Sequence, residues 1–415
     1  MAFGMLKGNL SPIAIDFGVA SLKVLQITGD DPPQMVCAAQ LHTPDELLGD
    51  DAGRMSFQLQ GLGKLLRAGS FKGKRAVCSI PATNTFAHMF LVPATGMSAS
   101  EAVRQQLVTT AQLDPRQLIL RDIEVAEVVR RNGKFKAMLC IAMPRDIVMQ
   151  HMDAIRRCKL ETVGVHSEHL ALARAFDPIT QRAEDEDLHS LYIDLGYGRT
   201  KVILAKGGDP AVAKTVPIGG RDLDVIAARL NSGSIAQARA ARRAGGEADP
   251  AFPGHWPELY AHFAAAAQMS ADAAEQMELE GGGTATATME DRRVGGMPEH
   301  HTPVPEVDAE SMTSAPKPPA CEALRTLTEE AALAISYHQQ LFPGQKLGRC
   351  VLVGGEARQV GLCQHLAAAL ELPFEVANPI GIVDHSGARC VEVSFEEPQP
   401  GWAVPLGLCG SATDL

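Results

Sequence analysis

The sequence has few of the features that mark nucleic-acid-binding, membrane-spanning or signal-bearing proteins. Its 415 residues include 49 acidic against 38 basic side chains, which gives a formal net charge of −11, and only 5% of them are aromatic. This balance argues against a surface that binds nucleic acid or anionic lipid. No segment approaches the run of about 20 apolar residues that crosses a bilayer. Residues 1–10 lack the apolar core of a signal peptide.

Cysteine and histidine give no sign of a disulfide framework or a metal site. The nine cysteines are scattered and never have C-x-x-C spacing, so we interpret them as small core residues of a protein in a reducing cytoplasm. His300 and His301 adjoin each other, but few other ligands lie near them, and a flexible linker explains them better. A length of 415 residues with 46% hydrophobic side chains predicts two or more soluble domains.

A hairpin that occurs twice organises the rest of the chain. Residues 191–203 form an apolar strand, a turn through Gly196 and Gly198, and a second apolar strand. Residues 13–25 overlay this stretch without a gap. The identical pairs are Ile15/Ile193, Asp16/Asp194, Gly18/Gly196, Lys23/Lys201 and Val24/Val202. The repeat predicts two similar half-molecules, each of which presents an aspartate and a glycine turn at the end of a strand.

The residue types of the hairpin suit a bound phosphate. A glycine turn lets backbone amides approach phosphate oxygens closely, and the lysine that follows each turn adds positive charge. Asp16 and Asp194 cannot bind phosphate directly, so their natural ligand is Mg²⁺ or its water shell. Either hairpin alone is more simply an ordinary turn with a solvated aspartate. The repeat in register favours a pair of loops that grip a nucleotide between two halves of the molecule.

Three further segments complete the pattern. Residues 75–166 alternate strands and helices in a compact α+β block, which we interpret as an inserted subdomain. Residues 278–319 are rich in Gly, Thr, Pro, Glu and Ser with few large apolar side chains, which predicts a disordered insertion. A predicted strand at 349–353 runs into Gly354 and Gly355. This is a third turn at which backbone could approach a ligand, although glycine is also common in ordinary strand-to-helix turns.

The order and spacing of these turns resemble the actin-like ATPase superfamily, and within it the PilM family of type IV pilus assembly proteins, which is related to FtsA. The likeness extends over nearly the whole chain outside the insertion. The motifs that carry it are Ile15-Asp16-Phe17-Gly18 with Lys23, Ser79-Ile80-Pro81 with Leu91-Val92-Pro93, Glu168-His169-Leu170-Ala171-Leu172-Ala173-Arg174, Ile193-Asp194-Leu195-Gly196, Ile218-Gly219-Gly220, Val353-Gly354-Gly355 and Asn378-Pro379.

The resemblance implies an α/β fold of the actin-like, ribonuclease H-like type, with two lobes, duplicated mixed sheets and an inserted α+β subdomain. The first lobe would comprise residues 1–74, 166–187 and 391–415, and the second lobe residues 188–277 and 320–390. Residues 75–165 would form an inserted subdomain of the PilM and FtsA type, and residues 278–319 the disordered insertion.

In proteins of this superfamily, ATP and Mg²⁺ bind between the lobes. The resemblance assigns the metal, held largely through water, to Asp16 and Asp194, and it gives Glu168 a role in positioning the attacking water. A carboxylate favoured by the helix dipole explains Glu168 equally well. The nucleotide-binding residues that the resemblance implies are Asp16, Gly18, Val19, Ala20, Ser21, Lys23, Asp194, Gly196, Gly198, Arg199, Thr200, Gly219, Gly220, Gly354 and Gly355.

The sequence departs from the family pattern at several positions. Val19 and its neighbour replace hydroxyl residues, so backbone amides would do more of the phosphate binding. Arg199 and Lys201 make the second turn more basic than usual. Asp224 stands where threonine is common, and Arg239 stands where many relatives direct an acidic residue at the ribose. We therefore expect nucleotide binding with, at most, slow hydrolysis.

By resemblance, the chain would be a cytoplasmic component of a type IV pilus or related assembly machine, placed at the inner membrane through its partner. That partner would be the cytoplasmic N-terminal tail of a PilN-like protein, bound near the inserted subdomain in a nucleotide-dependent way. We expect no nucleic acid and no direct membrane insertion, and self-association stays open. A sugar-type kinase, an FtsA-like filament-forming division protein and a type II secretion cytoplasmic domain are alternatives on the same fold.

Overall fold

The computed structural model describes residues 10–131, 133–177, 187–230, 232–244, 319–411 and 413. Nearly all of the predicted insertion at 278–319 lies outside these residues, and so do His300 and His301. The strands are β1 (Ile13–Phe17), β2 (Ser21–Ile27), β3 (Met35–His42), β4 (Arg75–Ile80), β5 (Phe86–Pro93), β6 (Leu118–Arg130), β7 (Gly133–Pro144), β8 (Glu161–Ser167), β9 (His189–Leu195), β10 (Thr200–Lys206), β11 (Asp209–Val216), β12 (Arg349–Val353), β13 (Phe374–Val376) and β14 (Arg389–Val391). The α-helices are α1 (Asp51–Ala68), α2 (Ala99–Thr109), α3 (Arg145–Arg157), α4 (Glu168–Arg174), α5 (Gly220–Leu230), α6 (Ile235–Ala244), α7 (Pro319–Leu341), α8 (Val360–Ala369) and α9 (Ala403–Cys409).

Two sheets of the same topology form the body of the molecule. In the first sheet β3, β2, β1, β4 and β8 lie side by side in that order, and β14 extends the edge beyond β3. In the second sheet β11, β10, β9, β12 and β13 repeat the arrangement. In each, a three-stranded antiparallel meander is followed by two parallel strands. The predicted duplication of mixed sheets is confirmed.

The repeated hairpins lie at the centre of these sheets. All five residues of β1 and all seven of β9 are buried, which is typical of strands that are covered on both faces. The antiparallel register places Asp16 opposite Lys23 and Asp194 opposite Lys201. Each hairpin therefore has an acidic and a basic side chain side by side, next to its glycine turn.

Two short helices lie between the sheets. The apolar residues of α4 and α9 join those of both sheets in one core cluster, together with the buried Trp402 that precedes α9. The two helices approach closely, because a Cβ on Gly407 of α9 would overlap the carbonyl oxygen of Ala171 in α4. Only glycine permits this approach. The α4–α9 pair therefore connects the two lobes through their shared core.

A third sheet, in the order β5-β7-β6, forms a separate subdomain with α2 packed against it. Its limits differ from the predicted range of 75–165. Within that range β4 and β8 belong to the first sheet, where Cys78 lies opposite both Ile15 of β1 and Val165 of β8. The separate sheet runs only from β5 to β7, because hydrogen bonds hold the flanking strands in the first lobe.

The chain also returns to the first lobe earlier than the predicted boundary at residue 391. The backbone of Asp384 donates to the Pro33 carbonyl at 2.9 Å and accepts from the Met35 amide at 2.7 Å. The short strand β14 then pairs in parallel with β3. Among the described helices, none is both long enough and apolar enough to cross a membrane.

Candidate functional site

The two hairpin turns touch each other where the lobes meet. The side chain of Val19 lies against Gly198, where an added Cβ would come within 2.7 Å of the Val19 Cγ2 atom. Asp16 and Asp194, at the ends of the strands that lead into these turns, are both buried. The structure thus brings together the two halves of the predicted phosphate site.

Lys201 lies between carboxylates from the two lobes. Its Nζ is 2.8 Å from Asp194 Oδ2 and 2.9 Å from Glu168 Oε2, and all three side chains are less than a tenth exposed. Burial lowers the pKa of Lys201, but the two carboxylates raise it by more, so the pKa lies above its ordinary value. Arg199 donates from Nη1 to the Pro217 carbonyl at 3.2 Å. In this arrangement the charge of Lys201 is paired with two carboxylates, whereas Arg199 donates only to backbone carbonyls; a role of either in phosphate binding stays a prediction.

Glu168 connects three parts of the molecule. It begins α4 between the lobes, and its Oε2 accepts hydrogen bonds from Lys201 Nζ at 2.9 Å and from the Ala82 amide at 3.0 Å. Ala82 begins a 3₁₀ turn, Ala82–Asn84, that leads into β5 of the inserted subdomain. One carboxylate oxygen therefore joins the second hairpin to the entrance of that subdomain. A role of Glu168 in positioning a water stays a prediction.

Asp16 belongs to the same group of charges. Its Oδ1 accepts from the Ser79 hydroxyl at 3.0 Å, and its Oδ2 is 3.8 Å from Lys23 Nζ, which itself donates to the Gly401 carbonyl at 2.7 Å. Burial raises the pKa of Asp16 to about 6, although the Lys23 ammonium lowers it. A cation bound nearby would favour the ionised form of Asp16.

The amides before and at the start of α5 are used within the protein. The Gly220 amide donates to the Gly196 carbonyl at 3.1 Å, and the Gly219 amide donates to Asp222 Oδ2 at 2.8 Å. Helix N-termini bind anions through such amides when they are free. Here the Gly220 amide holds the second hairpin turn against α5, and the Gly219 amide is bonded to a side chain in the first turn of that helix.

A second buried network lies where α5, α6 and the Gly354-Gly355 turn meet. Arg242 of α6 is paired with Glu356, donates from Nε to Asp224 Oδ1 at 2.7 Å, and donates from Nη2 to the Gly220 carbonyl at 3.3 Å. The arginine and both carboxylates are less than a tenth exposed. Burial lowers the pKa of Arg242, but Glu356 and Asp224 raise it by more, so this ion pair stays charged.

Arg239, one turn earlier on α6, crosses from the second lobe to the first. Its guanidinium lies 4.6 Å from the centre of the Tyr197 ring and is paired with Asp45, which begins a 3₁₀ turn after β3. Arg239, which stands where many relatives direct an acidic residue at the ribose, therefore joins the second lobe to the first.

Beside this network is a small cavity of about 240 Å³ of empty space, part of which is open to solvent. It lies between the second hairpin turn, α5, α7 and the third turn. Its lining residues are Leu195, Gly196, Thr200, Ile218, Gly219, Gly220, Leu223, Leu324, Leu327, Glu356 and Leu362.

The donor set at the hairpin turns suits phosphates with a hydrated divalent cation. Asp16, Glu168 and Asp194 bring three buried carboxyl groups near the lysines of the two hairpins. Hard cations prefer such oxygen ligands. In the part of the chain that the structure describes, no three His, Cys, Asp or Glu side chains converge to hold a metal directly.

The Gly354-Gly355 turn, which the resemblance places at the nucleoside, is less open. An added Cβ on Gly355 would meet nothing within 4 Å, so this glycine leaves space beside the third turn. At Gly220, by contrast, an added Cβ would lie 2.6 Å from Glu356 Oε1. These residues fit a nucleoside only after the Glu356 side chain moves.

Comparison with solved structures gives the fold its name. The chain matches the PilM-PilN type IV pilus biogenesis complex with a TM-score of 0.64 and 17% identity, over 97% of this chain and 98% of the other. The chain has the actin-like ATPase fold. Lower similarity is found to EutJ, the ethanolamine utilization protein of Carboxydothermus hydrogenoformans (TM-score 0.43, 13% identity, 97% and 90% covered), and to MreB5 of Spiroplasma citri bound to ADP (TM-score 0.40, 11% identity, 95% and 94% covered). No family model and no curated protein matches the sequence.

The actin-like fold brings residues to this site that sequence reasoning missed. Gln58 of α1 donates to the Gly18 carbonyl at 2.7 Å, and Ser79 of β4 donates to Asp16. No local pattern marks Gln58, and the motif that contains Ser79 assigned it no role, because only the folded sheet and helix place these residues at the turn. Glu356 did carry a signal, since it directly follows Gly354 and Gly355. Its pairing with Arg242 joins segments far apart in the chain.

Proposed function

We propose that this chain is an actin-like component of a type IV pilus or related assembly machine. It works in the cytoplasm and is held at the inner membrane by the N-terminal cytoplasmic tail of a PilN-like protein. Binding of ATP and Mg²⁺ between the lobes changes its affinity for that tail. The observation that carries the proposal is the match to the PilM-PilN complex over nearly the full length of both chains.

The charged group at the hairpin turns supports the nucleotide part of the proposal. Asp16 and Asp194 hold waters of the cation, while Lys23 and the backbone of both turns contact the phosphates. The bound nucleotide supplies negative charge and a cation at the place where the lobes meet. Glu168 is the carboxylate expected to position water, and one of its oxygens is bonded to Lys201. We therefore propose slow hydrolysis at most.

Glu168 also supports a connection between the cleft and the partner site. A ligand that draws Asp194 away from Lys201 alters the hydrogen bonds of Glu168, which include the Ala82 amide at the entrance of the inserted subdomain. The proposed tail-binding surface lies near that subdomain. A change of charge in the cleft thus has a short route of direct contacts to the partner site.

Isothermal titration calorimetry with Mg·ATP tests the nucleotide part. Lys23→Ala and Asp194→Ala each remove a charge-assisted contact of about 1.5–3 kcal/mol, so each should weaken binding by about tenfold or more. Asp187→Ala is the control, because Asp187 is an exposed aspartate that pairs with Lys206 and is not among the predicted site residues. Unchanged affinity in both cleft variants would refute the assignment of the cleft.

A second experiment tests the partner. Immobilised protein is exposed to detergent-solubilised membranes of the source organism with and without Mg·ATP, and the retained membrane proteins are identified. We expect one single-span protein whose synthetic N-terminal tail binds the purified chain with an affinity that depends on nucleotide. A tail that binds equally with and without nucleotide, or no retained membrane protein, would contradict the proposal.

A further inference from the structure

Glu356 occupies an unusual place for a residue that follows a glycine turn. It is 6% exposed and points inward, where its carboxylate pairs with Arg242 instead of facing solvent. Asp224 and the Gly220 carbonyl hold the same guanidinium from the other side. Three segments, α5, α6 and the residue after the third turn, thus meet at one arginine.

The Glu356 carboxylate also fills space that the proposed nucleoside needs. It lies directly over Gly220 at the start of α5, where even a methyl group would come within 2.6 Å of Oε1. The resemblance places the Gly354-Gly355 turn at the nucleoside and counts Gly220 among the nucleotide-binding residues. In this structure the Glu356 carboxylate, which follows that turn, lies against Gly220 and fills the space between them.

We propose that Glu356 and Arg242 form a latch that closes the nucleoside side of the cleft. Nucleotide binds only to molecules in which the Glu356 carboxylate has left Arg242 and swung away from Gly220. The latch does not cover the hairpin turns, which lie on the phosphate side. This inference rests on the nucleotide cleft of the proposed function. It means that Glu356 lowers the affinity of the protein for nucleotide.

The network around Arg242 makes the latch removable without loss of the fold. When Glu356 is replaced by alanine, Arg242 keeps its bond to Asp224 at 2.7 Å and its bond to the Gly220 carbonyl. No carboxylate is left unpaired by this change. If the latch is closed in at least about nine molecules of ten, its removal raises the apparent affinity for nucleotide about tenfold or more.

The test compares Mg·ATP with magnesium tripolyphosphate, which has the phosphates but no nucleoside. Calorimetry is run on the full chain as wild type, Glu356→Ala, Glu356→Gln and the control Glu375→Ala, which removes an exposed glutamate of the same lobe. We expect Glu356→Ala to bind ATP about tenfold more tightly than wild type, with unchanged affinity for tripolyphosphate. Glu356→Gln keeps the size of the side chain and loses only the ion pair, so its gain should be smaller than that of Glu356→Ala, and Glu375→Ala should match wild type. Circular dichroism verifies that each variant is folded.

Three results would overturn the latch. Equal or weaker ATP binding by Glu356→Ala would mean that Glu356 does not obstruct the nucleoside, and weaker binding would indicate a direct contact with it. An equal gain for ATP and tripolyphosphate would show a general effect of charge. If no variant binds either ligand, the nucleotide cleft of the proposed function fails and the latch fails with it. The first two results leave the cleft standing.

Discussion

Replacing Lys201 by methionine tests the charge cluster that joins the lobes. Methionine has a similar reach but no charge, so the variant leaves Asp194 and Glu168 close together without a cation. Lys201 is 9% exposed and the two carboxylates 7% and 8%, so water screens them little. Loss of one partner of a buried ion pair costs about 3–5 kcal/mol. We expect a loss of this size in the free energy of unfolding at pH 7.

Urea unfolding followed by circular dichroism measures the effect. With a slope of about 3 kcal/mol per molar urea, the midpoint should fall by about 1 M or more. At neutral pH wild type keeps the contribution of Lys201. Its folded pKa is raised, so the contribution is lost only at alkaline pH.

Lys136→Met is the matched control. Lys136 Nζ is also 2.9 Å from a glutamate, Glu124 Oε2, but this pair lies on the surface of the inserted subdomain. Exposed pairs contribute little to stability, so this variant should unfold almost as wild type does. The reasoning is refuted if Lys201→Met loses no more stability than Lys136→Met.

Two further predictions concern the core between the lobes. Burial raises the pKa of Asp16 to about 6 from 3.8, so its contribution to stability is present below pH 4 and lost as the pH rises through 6. The free energy of unfolding of wild type, relative to that of Asp16→Asn, should therefore fall by roughly 3 kcal/mol between pH 4 and pH 6. If chemical unfolding gives the same pH dependence for both proteins, this prediction is wrong. Gly407→Ala should lower stability by about 1–3 kcal/mol, because the new methyl group overlaps the Ala171 carbonyl. Gly29→Ala is the control, because an added Cβ there meets nothing within 4 Å, and it should unfold like wild type in a calorimetric scan. Equal unfolding midpoints for Gly407→Ala and Gly29→Ala would disprove the close packing of α4 and α9.

Much of the fold could be predicted because the hairpin occurs twice. The identities from Asp16 to Val24 and from Asp194 to Val202 specify the same register, and the structure has that register in both sheets. Strand β14 could not be predicted, since its three residues owe their extended form to pairing with β3. The limits of the inserted subdomain failed for a related reason. Alternation identifies β4 and β8 as strands, but it does not say which sheet they join.

The site was less accessible to sequence reasoning than the fold. The pattern puts Asp16 and Asp194 near the ends of strands that lead into glycine turns, and the structure has them there, because these residues belong to the strands that the repeat defines. The sequence pattern does not predict which partner the charged end of a long side chain contacts. Lys201 meets Glu168 of α4, and Glu356 meets Arg242 of α6. Such pairings depend on the packing of whole lobes, and the burial that makes them strong arises only in the folded chain.

The position of α9 has a consequence for how the molecule is made. This helix fills the space between two sheets whose strands begin at Ile13, yet it is formed by residues 403–409. During synthesis, the ribosome must extend the chain past Cys409 before either sheet can cover its inner face. Until then the apolar surfaces of both sheets stay exposed to chaperones and proteases. A transcript that stops short of Ala403 would yield a chain with most of its strands and no means of completing its core.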